Sequence, residues 1–151
     1  MPKYSRTAAM AALAMASVAV VSPTAVAECG QPDPTATDQV IEQLTDARAE
    51  AGLPALRADA RLARTAAAHA RRMARAGEIF HDNLMAWANG RAVAQNVAYG
   101  SSGTEAYFAM WNSPPHRTAM LARRYRMMGI GAARACDGTV MVSMNLAAPR
   151  H

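Results

Sequence analysis

The stretch Met110-Trp111-Asn112-Ser113-Pro114-Pro115-His116-Arg117 contains a double proline followed by a histidine and an arginine. It is the starting point for interpreting the fold. Proline lacks the amide hydrogen that a helix needs and disfavours helix in the residue before it, so Pro114 and Pro115 predict the end of a helix. A new run with an apolar pattern begins at His116 and continues to Leu121. Because the junction is rigid, it fixes the direction of His116. We take this histidine as a candidate functional residue; the alternative is a capping or packed side chain.

Two strand-like segments follow the junction. The first runs from Gly129 to Cys136, and the second, from Thr139 to Leu146, is rich in β-forming residues. Asp137-Gly138 between them predicts a two-residue hairpin turn. Since a hairpin is stable only when another layer covers it, we expect the helices that precede it to supply that cover.

Two amphipathic helices lie earlier in the chain. Apolar residues recur at helical spacing after Asp38 and again after Asp59, so these aspartates are the expected N-caps, and Gly52 and Gly77 the expected ends. His69 lies on the apolar stripe of the second helix, and we interpret it as a packed core histidine. The opposite face of that helix is either a solvated surface or a site for an anionic wall polymer or lipid head group; it carries Arg64, Arg71, Arg72 and Arg75.

A short strand and a capped helix connect these helices to the junction. Residues 94–100 predict a strand that ends at a glycine. The sequence from Ser102 to Glu105 matches a capping box, in which Ser102 caps the helix and Glu105 returns the hydrogen bond, so Glu105 is assigned a structural role. The helix is expected to bury Phe108 and Trp111. The elements together predict an α+β layered domain, with helices covering an antiparallel hairpin.

The first 27 residues have the pattern of a secretory signal peptide. Lys3 and Arg6 precede an apolar run over residues 8–21, and Ala25-Val26-Ala27 is a small-x-small cleavage site. The apolar run is too short to span a membrane as a helix. We therefore expect cleavage after Ala27 and secretion of the mature protein.

The mature chain is expected to begin with an extended arm and to be closed by a disulfide. Residues 28–37 contain two prolines and precede a domain placed at 38–148. Cys29 and Cys136 are the only cysteines and lie far apart in an exported chain, which favours a bond between them worth about 4 kcal/mol. The alternative is lipidation of Cys29, but Glu28 stands where lipoprotein signals have a small residue.

The charge and composition exclude several classes of function. The formal net charge is +5, and every basic residue after the leader is an arginine. No basic run is interleaved with aromatic residues, so a nucleic-acid partner is not expected. No segment after the leader is apolar enough to anchor in a bilayer. We also expect the protein to be a monomer.

Several short motifs follow one another along the chain in a characteristic order and spacing: residues 48–56, Asp59 with Leu62, the helix containing His69, Ala70 and Met73, His81, residues 95–100, residues 111–117 and Gly129-Ile130-Gly131. In this order they resemble the CAP superfamily, or SCP-like extracellular domains, in its short bacterial form. That group includes cysteine-rich secretory proteins, insect venom antigen 5 and plant pathogenesis-related proteins. The resemblance covers about Asp38 to Leu146 and implies a three-layer α-β-α sandwich with a central antiparallel sheet.

The resemblance also implies a cleft lined by two histidines and two acidic residues, where some members bind a divalent metal. By motif position, His81 and His116 match the histidines, whereas the acidic positions fall at Gln95 and Ser113. These four residues are the catalytic candidates, although glutamine cannot act as a general base. Two neutral imidazoles, His81 and His116, could hold Zn²⁺ or another divalent cation weakly. Trp111, Asn96 and Glu105 are expected to be structural.

Neutral residues at both acidic positions favour a secreted, non-catalytic binding module. Its expected ligand is a lipid-like molecule, a cell-wall component or a divalent metal in the histidine-lined cleft. The alternative is a secreted hydrolase, metal-assisted or using Ser113 with His116, that acts on peptide, ester or wall substrates. A Ser-His pair needs direct contact and an orienting group, and the sequence shows no orienting acid.

Overall fold

Five strands form the middle layer of the computed structural model, which describes residues 28–149. Three long strands, β3 (Val93–Gly100), β4 (Met127–Arg134) and β5 (Val140–Ala147), pair antiparallel in the order β4-β5-β3. Two short strands add to the free edge of β4. β1 (Gln31–Pro32) pairs antiparallel with its end, and β2 (Arg57–Ala58) pairs parallel with its start. The predicted leader lies outside the described residues.

Helices cover both faces of this sheet. α1 (Pro34–Glu50) and α4 (Gly103–Trp111) pack with one face in the larger apolar core, and α2 (Ala60–Ala76) packs with the other. Two short helices, α3 (Met85–Ala88) and α5 (Pro114–Met120), lie in the connections. The α+β prediction of a three-layer sandwich with a central antiparallel sheet is thus confirmed. No helix in residues 28–149 has the length and apolar character needed to cross a membrane.

The contact between α2 and β4 depends on two glycines in β4. A Cβ atom at Gly129 or Gly131 would overlap the backbone of α2. The helix itself begins and ends where the sequence predicts, because Asp59 Oδ1 accepts the amide hydrogen of Leu62 at 3.0 Å and Gly77 adopts φ 71°. The Gly-x-Gly pattern therefore allows the helix to lie directly against the strand.

α1 begins earlier than the sequence analysis expects. Its N-cap is Asp33, whose Oδ1 accepts the amide hydrogen of Ala36 at 2.9 Å, and Pro34 occupies the first turn. Asp38 lies inside the helix, so only the first part of the segment 28–37 is extended. Proline is well suited to the first helical position, since its fixed φ is helical and its missing amide hydrogen would have no partner there.

The double proline starts a helix instead of ending one. α4 ends at Trp111, and Pro114 and Pro115 form the first turn of α5 with Ser113 as N-cap. The expected burial in α4 is also wrong in part, because Phe108 is 46% exposed. Trp111 is partly buried, and the fully buried side chains of α4 include Tyr107 and Met110.

The hairpin turn is longer than two residues. The amide of Ala135 donates to the carbonyl of Thr139 at 2.8 Å, which closes a five-residue connection. Cys136 lies in this turn and is bonded to Cys29, with a Cα–Cα distance of 4.6 Å. The expected disulfide is therefore present, and it fixes the start of the described chain to the hairpin.

Arg48 is a buried guanidinium near the end of α1. It is 1% exposed and lies on the same helical stripe as Val40 and Leu44. Among residues 28–149, no carboxylate lies within 4 Å of it. Instead it donates to backbone carbonyls in two connecting segments, at distances of 2.6 to 3.4 Å: those of Pro54, Met120, Ala122 and Tyr125.

Candidate functional site

His81 lies in the segment between α2 and α3, and hydrogen bonds hold this segment on both sides of it. The carbonyl of Phe80 accepts from His69 Nε2–H at 2.6 Å. The amide of Asp82 donates to Gln95 Oε1 at 2.8 Å. His81 itself is exposed. The position of its backbone is therefore set by contacts of its two neighbours with α2 and with β3.

His69 is confirmed as a buried core histidine, and it also anchors the His81 segment. Since the Phe80 carbonyl can only accept, Nε2 carries the proton, and Nδ1 accepts from Arg72 at 2.9 Å. Arg72 in turn pairs with Asp82 at 3.0 Å. Burial is the main cause that lowers the pKa of His69, so its ring is neutral at neutral pH.

Gln95 ties the His81 segment to the sheet through all of its side-chain polar atoms. Its Oε1 accepts from the Asp82 amide and from His81 Nδ1–H at 3.1 Å. Its Nε2 donates to Asn145 Oδ1 at 3.1 Å and to Ser143 Oγ at 3.4 Å. Because the Asp82 amide can only donate, the orientation of the glutamine is fixed. His81 therefore carries its proton on Nδ1, which leaves the lone pair on Nε2.

The polar network continues beneath Gln95 to α2. Asn145 Nδ2 donates to Thr65 Oγ1 at 3.1 Å and to the carbonyl of Leu62 at 3.4 Å. Asn145 and Ser143 are completely buried, and neither was among the predicted site residues. The signal was available, since two polar residues two positions apart in an apolar strand share one face.

His116 lies in the first turn of α5, and Asn96 fixes its backbone. Asn96 Nδ2 donates to the carbonyl of His116 at 3.0 Å. Nδ1 of His116 is buried and has no hydrogen-bond partner among the described residues. Burial lowers the pKa of His116, and the electrostatic effect of His81 on the protonated form of His116 lowers it further. The two rings are thus within electrostatic range of each other.

β3 is the element that brings the two histidines together. Gln95 and Asn96 are successive residues and point to opposite faces of the sheet, where they contact the His81 and His116 segments respectively. β3 is an edge strand in the sheet order. The two segments therefore approach each other around this edge, one from the α2 side and one from the α5 side.

The remaining candidates lie outside this polar network. Ser113 is the N-cap of α5, but its side chain makes no capping bond and no hydrogen bond to His116 within the described chain. Glu105 accepts from the amide of Ser101 at 2.7 Å, which supports a structural role, although the bond goes to Ser101 and not to Ser102. Trp111 stacks on Tyr107, with ring centroids 5.9 Å apart.

Exposed apolar side chains flank His81. Ile79 is 39% exposed, Phe80 38% and Met85 80%. Large apolar side chains at this level of exposure are individually common, but three within seven residues of a site are informative. The chain segment that carries His81 therefore exposes apolar side chains.

The side chains present do not fit a tightly bound metal ion. Within residues 28–149, no group of three or more His, Cys, Asp or Glu side chains is arranged to hold one. Protein zinc sites use three or four such ligands, more than His81 and His116 supply by themselves. The amide oxygen of Gln95 is already used by two donors.

Comparison with known proteins identifies the family. A family model described as the cysteine-rich secretory protein family, CAP, matches residues 41–146. No curated protein matches the chain in sequence. An outer surface protein from Borrelia burgdorferi shares the fold with a TM-score of 0.70 and 16% identity, over 80% of this chain and 99% of that one.

Two further solved structures share the fold. A cysteine-rich secretory protein from Staphylococcus aureus has a TM-score of 0.65 and 22% identity, over 78% of this chain and 39% of that one. An extracellular protein containing an SCP domain from Bacillus anthracis has 0.63 and 22%, over 76% of this chain and 40% of that one. This chain therefore spans about two fifths of the length of each. From the family match, the chain belongs to the CAP family of extracellular-type proteins.

Proposed function

We propose that this protein is a non-catalytic binding module whose ligand contacts His81 and His116 at the edge of β3. The observation that carries the proposal is the bonding of Gln95. Its amide is neutral, 6% exposed and hydrogen-bonded through both its oxygen and its nitrogen. A side chain in this state positions its neighbours and cannot remove a proton from a substrate.

The two imidazoles supply the polar contacts of the proposed site. His81 offers the Nε2 lone pair, because its Nδ1–H is donated to Gln95. His116 has a lowered pKa and an Nδ1 without a hydrogen-bond partner among residues 28–149. A buried polar atom of this kind is costly unless something bonds to it, so a ligand group or water at His116 would be stabilising.

The exposed apolar side chains of the His81 segment indicate the class of ligand. Phe80 and Met85, one and four residues from His81 in the chain, both expose apolar area. A molecule with an apolar body and a polar head matches both features, so we propose a lipid-like ligand ahead of a polar wall component. A metal ion bound by His81 and His116 alone would be held weakly.

Hydrolysis is the second candidate function, and one observation favours it. Burial keeps His116 neutral, and a neutral imidazole can accept a proton. Against it, Ser113 makes no hydrogen bond to His116 in the described chain, and no carboxylate orients the ring of His116. A triad-like arrangement would need both contacts.

Binding of a fluorescent fatty acid, cis-parinaric acid, tests the proposal. We expect saturable binding that is weakened in Met85→Gln and in His116→Gln. Phe108→Ser is the matched control, since it removes an exposed apolar side chain from α4 and should leave binding unchanged. A screen of ester, peptide and glycan substrates should show no turnover; an activity lost in both His81→Ala and His116→Ala would overturn the non-catalytic assignment.

Export and a monomeric state are part of the same proposal. Membership of an extracellular-type family and the disulfide between Cys29 and Cys136 support export. We propose that the leader is removed after Ala27, and that the mature chain is released without a membrane anchor. The intact mass of protein recovered from culture medium would give the first residue, expected to be Glu28, and would reveal any lipid on Cys29.

A further inference from the structure

A cleft lined by two arginines lies at the opposite edge of the sheet from β3. It has a volume of about 550 Å³ and is lined by Ala55, Arg57, Arg126 and Pro149. The two arginines come from adjacent chain segments, because the amide of Arg57 donates to the carbonyl of Arg126 at 2.8 Å. β2 and the start of β4 thus hold the two side chains on one concave surface.

Neither arginine is neutralised within residues 28–149. Three other arginines, Arg72, Arg91 and Arg134, each pair with an aspartate within 4 Å, but Arg57 and Arg126 do not. Neither guanidinium makes a side-chain hydrogen bond to the described residues, and none of the lining residues within 28–149 is acidic. Ten guanidinium N–H groups are therefore free to bind a ligand.

A third positive charge lies behind this surface. Arg48 is buried and bonded only to carbonyl groups, so its charge has no anionic partner in the described part of the chain. It is close enough to Arg126 for that charge to lower its pKa, after burial as the main cause. The positive potential in the cleft is thus the sum of three cations, one of them poorly screened because it is buried.

We propose that this cleft is a binding site for a phosphate group, separate from the site at β3 and independent of the proposed function. A guanidinium forms paired hydrogen bonds with oxyanions, and a phosphate has enough oxygen atoms to serve two of them at once. A carboxylate has only two oxygens and would satisfy one arginine. The phosphate would come from a soluble phosphate ester or from the head group of an anionic lipid.

Titration of the full mature chain with inorganic phosphate at constant ionic strength tests the site. We expect saturable shifts in the Nε–H NMR signals of Arg57 and Arg126. Arg57→Gln and Arg126→Gln should each weaken binding by at least about tenfold, since each removes one pair of charged hydrogen bonds. Arg71→Gln is the control, because it removes an equal charge from the exposed face of α2.

The control variant distinguishes a specific phosphate site from non-specific attraction of anions to positive charge. Equal weakening in Arg71→Gln, or no saturable shift in the wild-type protein, would overturn the proposal. All three arginines are exposed, so unfolding midpoints should stay close to wild type and exclude misfolding as the cause.

A second arm identifies the source of the phosphate. Vesicles of phosphatidylglycerol are compared with vesicles of phosphatidylcholine, using the double variant Arg57→Gln, Arg126→Gln. If wild-type protein binds the anionic vesicles and the double variant does not, the phosphate belongs to a lipid head group. If the protein binds inorganic phosphate but not the vesicles, the ligand is a soluble phosphate ester. Binding to the vesicles that the double variant retains would contradict the assignment of this cleft.

Discussion

Replacing Gln95 by leucine removes the side chain that ties the His81 segment to the sheet. Leucine has a similar size but can neither donate nor accept a hydrogen bond. The amide of Asp82 loses its acceptor at 2.8 Å, and Asn145 Oδ1 loses its donor at 3.1 Å. The two losses differ, because Asp82 is partly exposed and can bond to water, whereas Asn145 is completely buried.

The expected loss of stability in Gln95→Leu follows from the environments of Asp82 and Asn145. A buried acceptor left without a donor costs about 1–3 kcal/mol, and a hydrogen bond that water can replace contributes about 0.5–1.5 kcal/mol. Leucine recovers a part of the loss through burial of apolar surface. We therefore expect the free energy of unfolding to fall by about 2 kcal/mol, a large share of the 5–15 kcal/mol typical of a domain.

Urea unfolding measures the global change, and amide hydrogen exchange measures the local one. In Gln95→Leu, the amide of Asp82 should exchange faster than in wild type by more than the global loss explains. Gln95→Glu is the matched control, because it keeps an acceptor for Asp82 while placing a second oxygen against Asn145 Oδ1. An Asp82 amide that exchanges as slowly in Gln95→Leu as in wild type would refute the assigned role of this glutamine.

Three further predictions concern stability. Arg48→Met should lower the free energy of unfolding by about 3 kcal/mol, since it leaves buried carbonyls without donors, and Arg48→Lys should cost less; equal urea midpoints for both would contradict this account. The double variant Cys29→Ser, Cys136→Ser should lose about 4–5 kcal/mol, because the bond closes a sequence separation of 107 residues; thermal unfolding with and without reductant checks it. The pKa of His69 is lower in the folded state than in the unfolded chain, so as the pH falls the unfolded chain takes up the proton before the folded one does. The free energy of unfolding should therefore decrease as the pH drops below about 6.5. A pH profile that is equally steep in His69→Gln would exclude His69 as its source.

Local sequence signals correctly predicted a helix that has a capping residue at each end. α2 has Asp59 as its N-cap and Gly77 at its C-terminus, and the structure places both as expected. The double proline was harder, because proline is compatible both with the end of one helix and with the first turn of the next. Pro114 and Pro115 stand between α4 and α5, and only the packing of α5 shows to which helix they belong.

The site was predicted less completely than the fold. His81 and His116 followed from motif positions, but their partners depend on strand register. Gln95 lies directly opposite Asn145 in the β3–β5 ladder, a pairing of residues 50 positions apart that no local pattern encodes. Arg48 was missed for a different reason, since arginine on a helix is ordinarily interpreted as surface even when its spacing places it on the buried stripe.

The disulfide has a consequence for the timing of maturation. Synthesis proceeds from the amino terminus, so Cys29 is made 107 residues before its partner becomes available. Because the sequence contains no third cysteine, any disulfide that Cys29 forms earlier must join it to another molecule. The intramolecular bond can close only after Cys136 has been made and lies beside Cys29, which is the arrangement that the pairing of β1 with β4 produces. Since Cys136 precedes β5 in the chain, loss of the two free thiols would report that β1 has reached β4 and not that the sheet is complete.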